Sequence, residues 1–338
     1  MTDIVSGTRK ARNALLFRIA VTTSLVSVLI WSVNPAFIWS KVVTLDPFWI
    51  AAAFVTVFAA IALSALKWGF ILEARGHVLG YGRLLRHYFV GLFFNNVLPT
   101  TVGGDAIRAW ETTKDTGETP EAVGSVVSER LIAGLALGIT TVVGLPFVVV
   151  DVKLAAFVAI FLAVDILLVA LFLLPKVADG VIASLAPRRV SGAANAASRT
   201  VDAVRSTFRD RRLVIKVFAY SIIFQILVAA VNFCIFRAMG IPIGLAHCIV
   251  FTPMIFTVTM LPISLSGLGV REAAYWYFFS QVGASQLEAV TASLLFFVIV
   301  GVVSLPGAPL FALRRQTTPG LVSDTGRNFA HSTIQELT

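Results

Sequence analysis

Apolar runs of about 20 residues recur along this chain, separated by polar and basic segments. A helix of that length crosses about 30 Å of hydrocarbon. The composition agrees, because 57% hydrophobic and 13% charged residues leave too little polar surface to cover a water-soluble globule. The alternating pattern of an outer-membrane barrel is missing, so the sequence predicts an all-α polytopic membrane protein.

Six apolar runs are predicted to cross the membrane, at residues 15–33, 48–70, 132–150, 154–174, 213–237 and 287–313. Eight basic and three acidic residues fall within 175–212, which is typical of a cytoplasmic loop. The positive-inside rule and anionic lipid head groups then explain the net charge of +9, and we expect no nucleic-acid partner.

The first apolar run is expected to be an uncleaved helix, since no small-x-small cleavage site follows it. Residues 1–14 are then a cytoplasmic N-terminus, 15–315 a single transmembrane domain, and 316–338 a disordered cytoplasmic tail. The basic residues predict a multi-pass membrane protein with both termini in the cytoplasm. The sequence leaves the oligomeric state open.

The frame Leu-Pro-x4-Gly-x3-Arg occurs twice, at residues 98–108 and 261–271, an offset of 163 residues. The apolar run before the first copy has about 12 residues and would rise only about 18 Å as a helix, so it predicts a re-entrant hairpin. The same offset carries span 48–70 onto 211–233. The positive-inside rule places the entry of the first hairpin at the cytoplasm and that of the second outside, so units 48–150 and 211–313 are predicted to form an inverted repeat with two oppositely oriented hairpins.

Each broken helix is predicted to favour an anion, because backbone N–H groups at a helix N-terminus lack intrahelical partners. Glycines allow a close approach of the backbone, and Arg108 and Arg271 lie one turn into the following helices. Together, Arg108 and Arg271 would bind a phosphate head group. Two alternatives stay open: Arg271 pairs with its neighbour Glu272, and Arg108 lies at the inner surface.

Isolated polar residues inside the spans carry further predictions. Lys67 lies near the inner end of its span and is expected to snorkel to the interface. Asp165 lies mid-span, where an unpaired charge costs at least about 2.5–3.5 kcal/mol, so it is expected to face the protein interior. It is either a neutral or hydrogen-bonded structural group or a participant in proton coupling. Gln225 and Asn232, seven apart on one helix face, are expected to bond between helices.

No motif for a nucleotide-binding loop, a nucleophile elbow or a metal cluster occurs in the sequence, so no cofactor or metal is expected. An intramembrane lipid-modifying enzyme remains an alternative, because such enzymes can use scattered acidic residues in catalysis. The candidates are Glu129, Glu272, Asp105 and Asp165. A third hypothesis is a scaffold for a lipid- or glycan-synthesis enzyme, docked through the basic segment 175–212.

Three blocks resemble the flippase-like family, also known as the lysylphosphatidylglycerol synthase transmembrane region. They are Phe-Asn-Asn-Val-Leu-Pro at 94–99 with Gly-Gly-Asp-Ala-Ile-Arg at 103–108, Ser-Glu-Arg-Leu at 128–131, and Leu-Pro at 261–262 with Gly-Leu-Gly-Val-Arg-Glu at 267–272. The resemblance covers about residues 15–315. It implies an inner-membrane protein that moves a lipid between leaflets.

The resemblance also sets limits on activity. Two-domain relatives carry a soluble aminoacyl transferase domain after this region, whereas only 23 residues follow Arg315, so lysyl transfer is not expected. Phospholipids, polyprenyl-phosphate-linked lipids and hopanoid-type lipids are the implied partners, with a lipid-synthesis enzyme at the cytoplasmic face.

Together the motifs and the physics predict a flippase that works by alternating access on an anionic lipid. The block 128–131 has a second interpretation, a helix start with an ion pair at the inner surface. The predicted substrate-binding residues are Asn95, Asn96, Pro99, Gly103, Gly104, Asp105, Arg108, Glu129, Arg130, Pro262, Gly267, Gly269, Arg271 and Glu272, with Asp165 as the residue for proton coupling.

Overall fold

The computed structural model describes residues 44–97, 103–147, 152–173, 191–260, 267 and 269–313, and every regular element in these ranges is helical. The predicted run 15–33, Pro99, Pro262 and the tail 316–338 lie outside the described residues. The helices are α1 (Pro47–Ala74), α2 (Tyr81–Val97), α3 (Gly103–Thr116), α4 (Thr119–Gly144), α5 (Val152–Leu173), α6 (Ser191–Arg209), α7 (Arg211–Ala238), α8 (Leu245–Thr259), α9 (Val270–Phe279), α10 (Gln286–Ser304) and α11 (Gly307–Ala312).

Helices α1 and α7 each begin after an aspartate that caps the helix N-terminus. Asp46 caps α1 by accepting a hydrogen bond from the Phe48 amide, and Pro47 follows as the first helical residue. Asp210 caps α7 by accepting from the amides of Arg212 and Leu213. Both helices run for 28 residues, so the first helices of the two predicted units match in length and in start.

The two long helices pack antiparallel along their length. The Asp46 amide donates to the carbonyl of Ala238 at 3.0 Å, which joins the start of α1 to the end of α7. Near the opposite ends, the rings of Phe70 and Tyr220 lie 5.3 Å apart. Helix α7 therefore runs in the direction opposite to α1.

The order long helix, two shorter helices, long helix occurs twice, as α1–α4 and as α7–α10. In the described part of the chain, four segments are long and apolar enough to cross a membrane: Pro47–Ala74, Thr119–Phe147, Arg211–Ala238 and Gln286–Ala312. Shorter apolar stretches lie in α5 and α8. A membrane-spanning, all-helical fold is confirmed, while the count of six spans stays a prediction.

Two segments differ from their predicted form. The span expected at 132–150 belongs to a helix that already begins at Thr119, because polar residues such as Ser125 are buried against neighbouring helices instead of facing water. Within the expected loop 175–212, residues 191–209 form α6. Val201 and Val204 on one face of α6 are buried. A Cβ atom on Gly124 of α4 would lie 2.5 Å from the Cβ atom of Ala203, so a side chain at position 124 would collide with α6.

The largest apolar core joins α1 to helices α7–α10. Its aromatic centre includes Phe236 and Phe279, whose ring centroids lie 4.4 Å apart, and Phe251, at 5.3 Å from Phe279. Asn232 crosses this core, donating to Thr252 and accepting from Tyr275, which confirms it as an interhelical hydrogen-bond partner.

Candidate functional site

Helices α1–α4 bring ionisable side chains together inside the protein. We call this group the charge cluster; it comprises Lys67 of α1, Tyr88 of α2, Asp105 and Arg108 of α3, and Glu129 and Arg130 of α4. Burying several charges is costly unless they pair, so their positions are matched to one another.

Glu129 is the central anion of the charge cluster. Its Oε2 lies 2.8 Å from Nη2 of Arg108, and its Oε1 lies 3.5 Å from Nζ of Lys67. Tyr88 donates its hydroxyl proton to the same Oε1. Since the Glu129 and Lys67 side chains are only 3% and 4% exposed, these contacts replace water almost completely.

Arg108 is held by aromatic rings as well as by charge. Its guanidinium carbon lies 4.6 Å from the ring centroid of Trp68 and 4.6 Å from that of Tyr88, so cation–π attraction from two rings stabilises the buried cation. Trp68 is oriented in turn by a hydrogen bond from its Nε1 to Ser125. Within the described part of the chain, Nε of Arg108 makes no hydrogen bond, and Nη2 contacts Oε2 of Glu129 at 2.8 Å without the alignment of a hydrogen bond.

Asp105 and Arg130 form the outer part of the charge cluster. Arg130 donates two hydrogen bonds to the Asp105 carboxylate, at 2.6 and 2.8 Å, in the bidentate arrangement that makes such pairs strong. The Arg130 side chain is 53% exposed, whereas that of Asp105 is 13% exposed. Glu129 and Arg130 thus face different partners although they are neighbours in sequence.

Helices α2 and α3 pack against each other at two glycines. A Cβ atom on Gly104 would overlap the carbonyl oxygen of Gly91, so only glycine fits there. The Gly104 amide donates to Oδ1 of Asn95 at 2.8 Å, which ties the start of α3 to the end of α2. Asn96 donates to Ser304 of α10 instead. Of the sequence-predicted residues, Asn95, Gly104, Asp105, Arg108, Glu129 and Arg130 are therefore gathered in one place.

The charge cluster lines part of the wall of a cavity of about 320 Å³. Other polar side chains at the cavity include Ser64, Asn95, Ser221 and Gln225. The remaining wall is largely apolar, and residues from both predicted units contribute to it; examples are Ile61, Leu92, Phe224, Phe256, Phe296 and Val300. The cavity combines a buried ionic region with an apolar wall.

Helices α9 and α10 hold a separate polar group. Arg271 Nη2 donates to Oε1 of Glu272 at 2.7 Å, and Ser293 bonds to both residues. Glu272 also accepts from the Gly269 amide, at the start of α9. Gly267 and Gly269 have φ angles of 73° and 83°, which favour glycine. In the described ranges, Arg271 does not line the cavity with Arg108, and it adopts the pairing with Glu272 that the sequence left open.

Asp165 of α5 packs against the cavity wall from outside. A Cβ atom on Gly134 would lie 2.7 Å from Oδ1 of Asp165, and Gly134 itself lines the cavity. The Oδ2 atom is buried and has no hydrogen-bond partner within the described ranges. Asp165 therefore faces the protein interior, as expected from its position in an apolar run.

Sequence reasoning missed three members of the site environment: Lys67, Tyr88 and Trp68. Lys67 does not snorkel to the interface, because its ammonium group is buried between Glu129 and Ser221, at 3.3 Å from the serine Oγ. A lysine inside an apolar run was the available signal, since intramembrane charges usually face a partner. Tyr88 and Trp68 carried no comparable signal.

Taken together, the fold and the site define a helical membrane protein in which a largely buried cluster of three cations and two carboxylates lines a mostly apolar cavity. The chain belongs to the family described as the lysylphosphatidylglycerol synthase TM region, whose sequence pattern matches residues 15–307. A UPF0104 membrane protein of Methanothermobacter thermautotrophicus is 24% identical to it over 331 residues, covering 89% of this chain and 96% of the relative. The family resemblance is thereby confirmed, and the chain is a multi-pass membrane protein.

Proposed function

We propose that this protein is a lipid translocase that moves an anionic, phosphate-bearing lipid between the leaflets of the inner membrane. The observation that carries the proposal is the cavity, which is lined by Lys67, Arg108 and Arg130 while much of its wall is apolar. A phosphate would bind to the cations, and the apolar wall would contact the acyl or prenyl chains.

The charge balance supports an anionic ligand. Three cations and two carboxylates line the cavity, which leaves one positive charge in excess. Lys67 and Arg108 are buried, and an uncompensated buried charge is expensive, so a negatively charged ligand would be stabilised beside them. Neutralising the head group in this way would also lower the barrier to carrying it across the hydrocarbon.

The arrangement of the two units supports alternating access. Helices α1 and α7 pack antiparallel, and the cavity lies between residues of both units. Rocking of one unit against the other would open the cavity to each leaflet in turn. In this proposal the hairpins enter from opposite sides, both termini are cytoplasmic, and Arg271 serves the second unit when the cavity faces the other leaflet.

The test is a translocation assay with purified protein in liposomes that contain a fluorescent phosphatidylglycerol. Wild-type protein is expected to move the lipid between leaflets. Arg108→Gln should slow this at least about tenfold, because the phosphate loses its most deeply buried cation. Arg75→Gln is the matched control, since Arg75 pairs with Glu121 and lies outside the cavity.

Two results would contradict the proposal. The first is an absence of translocation by wild-type protein whose thermal unfolding shows it to be folded. The second is full activity of a folded Arg108→Gln variant. Mass spectrometry of the recovered lipid separates transport from the alternative of an intramembrane enzyme, because a translocase returns the lipid chemically unchanged.

A further inference from the structure

Glu129 lies where the phosphate of an anionic lipid would bind. Its carboxylate oxygens face Lys67 and Arg108, and both cations line the cavity. The other acid, Asp105, already accepts two hydrogen bonds from Arg130 and lies farther from Arg108, at 3.6 Å. Lys67 and Arg108 therefore present two positive charges to the single carboxylate of Glu129.

The contact between Arg108 and Glu129 is close but not well aligned. Nη2 and Oε2 lie 2.8 Å apart, yet neither atom has a hydrogen bond within the described residues. A guanidinium binds an oxyanion most strongly through two parallel hydrogen bonds. A phosphate with two free oxygens could offer that geometry to Arg108, so it has an advantage over the carboxylate that is already there.

We propose that Glu129 is an internal competitor for the lipid phosphate, pairing with Lys67 and Arg108 between transport cycles and leaving them when a phosphate arrives. This inference rests on the proposed function and deepens it. A translocase must release its cargo, and a built-in competitor keeps the site from holding the lipid too tightly. The single excess positive charge also selects a monoanionic phosphodiester head group over a dianionic phosphomonoester.

The test compares lipid binding by wild type, Glu129→Gln and Glu121→Gln. Glu121 is the matched control because it lies two turns earlier on α4, pairs with Arg75 and does not line the cavity. Native mass spectrometry follows titration with phosphatidylglycerol as the phosphodiester, phosphatidic acid as the phosphomonoester and diacylglycerol as the lipid without phosphate.

Glu129→Gln is expected to bind phosphatidylglycerol about tenfold more tightly than wild type, because the competing charge is gone. Its preference should shift towards phosphatidic acid, since the site then has two excess positive charges. Translocation in liposomes should be slower, because release becomes the slow step. Glu121→Gln should behave like wild type in all three measurements.

A second variant keeps the inference testable if Glu129→Gln does not fold. Tyr88→Phe keeps every charge and the ring against Arg108 but removes the hydroxyl that holds Glu129 in place. It should bind phosphatidylglycerol about threefold more tightly, because the competing carboxylate is less well anchored.

The outcomes separate this inference from the proposed function. If wild type binds diacylglycerol as well as phosphatidylglycerol, the anionic-lipid function itself is wrong, and the competitor role with it. If wild type selects phosphatidylglycerol, but folded Glu129→Gln and Tyr88→Phe bind it no more tightly, the function stands and Glu129 is a structural part of the site.

Discussion

Gly104 packs so closely against Gly91 that a Cβ atom on Gly104 would overlap the Gly91 carbonyl oxygen. This contact sets the distance between α2 and α3. It thereby places Tyr88 on one helix and Arg108 on the other within reach of Glu129. The glycine of the repeated sequence frame thus has a packing role that positions the charge cluster.

Gly104→Ala should separate the two helices of the hairpin and disturb the charge cluster. Overpacking of this kind costs about 1–3 kcal/mol, so we expect a lower thermal-unfolding midpoint and slower lipid translocation. Gly82→Ala is the control, because a Cβ atom on Gly82 meets nothing within 4 Å. Equal stability and activity of the two variants would show that α2 and α3 are not held together at Gly104.

Lys67→Met should destabilise the protein and weaken its binding of phosphatidylglycerol. The substitution removes the ion pair between Lys67 and Glu129 but leaves Glu129 paired with Arg108, so the loss should stay below the about 3–5 kcal/mol of a buried charge left without any partner. Thermal unfolding and native mass spectrometry measure the two effects. Lys216→Met is the control, because Lys216 is exposed and lies over the ring of Phe70. A stable Lys67→Met variant with unchanged binding would remove Lys67 from the proposed site.

Asp165→Asn distinguishes a structural role from proton coupling. The Oδ2 atom of Asp165 makes no hydrogen bond within the described ranges, and Gly134 packs directly against the carboxyl group. We therefore expect the nearly isosteric amide to keep translocation within about twofold of wild type, since the buried carboxylate has no matched partner to lose. Transport is measured with and without an imposed pH gradient. A folded variant that no longer responds to the gradient would instead assign proton coupling to Asp165.

Cysteine labelling tests the proposed orientation. The native thiols Cys234 and Cys248 are buried, so introduced cysteines can be detected against a low background. Gly244→Cys, at the start of α8, should react with a membrane-impermeant reagent added outside intact cells. Asn195→Cys, exposed on α6, should react only after permeabilisation. The reverse pattern would invert the topology, and labelling of both positions from outside would contradict the inverted repeat.

The sequence predicts the described helices best where apolar length and capping residues are enough to define them. Apolar length and the caps at Asp46 and Asp210 are enough to predict α1 and α7, because backbone hydrogen bonding in a membrane must be satisfied within each segment. The early start of α4 was not predictable in the same way. The polar residues in its first turns suggested exposure to water, but they pack against neighbouring helices. A hydropathy profile cannot distinguish these two environments.

The candidate site was likewise only partly predictable from the sequence. The family motifs identified Asn95, Gly104, Asp105, Arg108, Glu129 and Arg130, which the structure brings to one place. They paired Arg108 with Arg271 because the two occupy equivalent frame positions. The structure instead places Arg271 with Glu272, its neighbour on α9, and with Ser293 of α10, since a buried guanidinium is stabilised by the acceptors within its reach.

The sequence by itself determined that this chain is a helical membrane protein of this family, because apolar length and ordered motifs are properties of the chain read in one dimension. Only the tertiary structure decided that Lys67, Tyr88 and Arg108 meet at Glu129. These side chains come from four helices. Burial forces each charge to find its partner across helix contacts, and such contacts depend on packing geometry that no local pattern encodes.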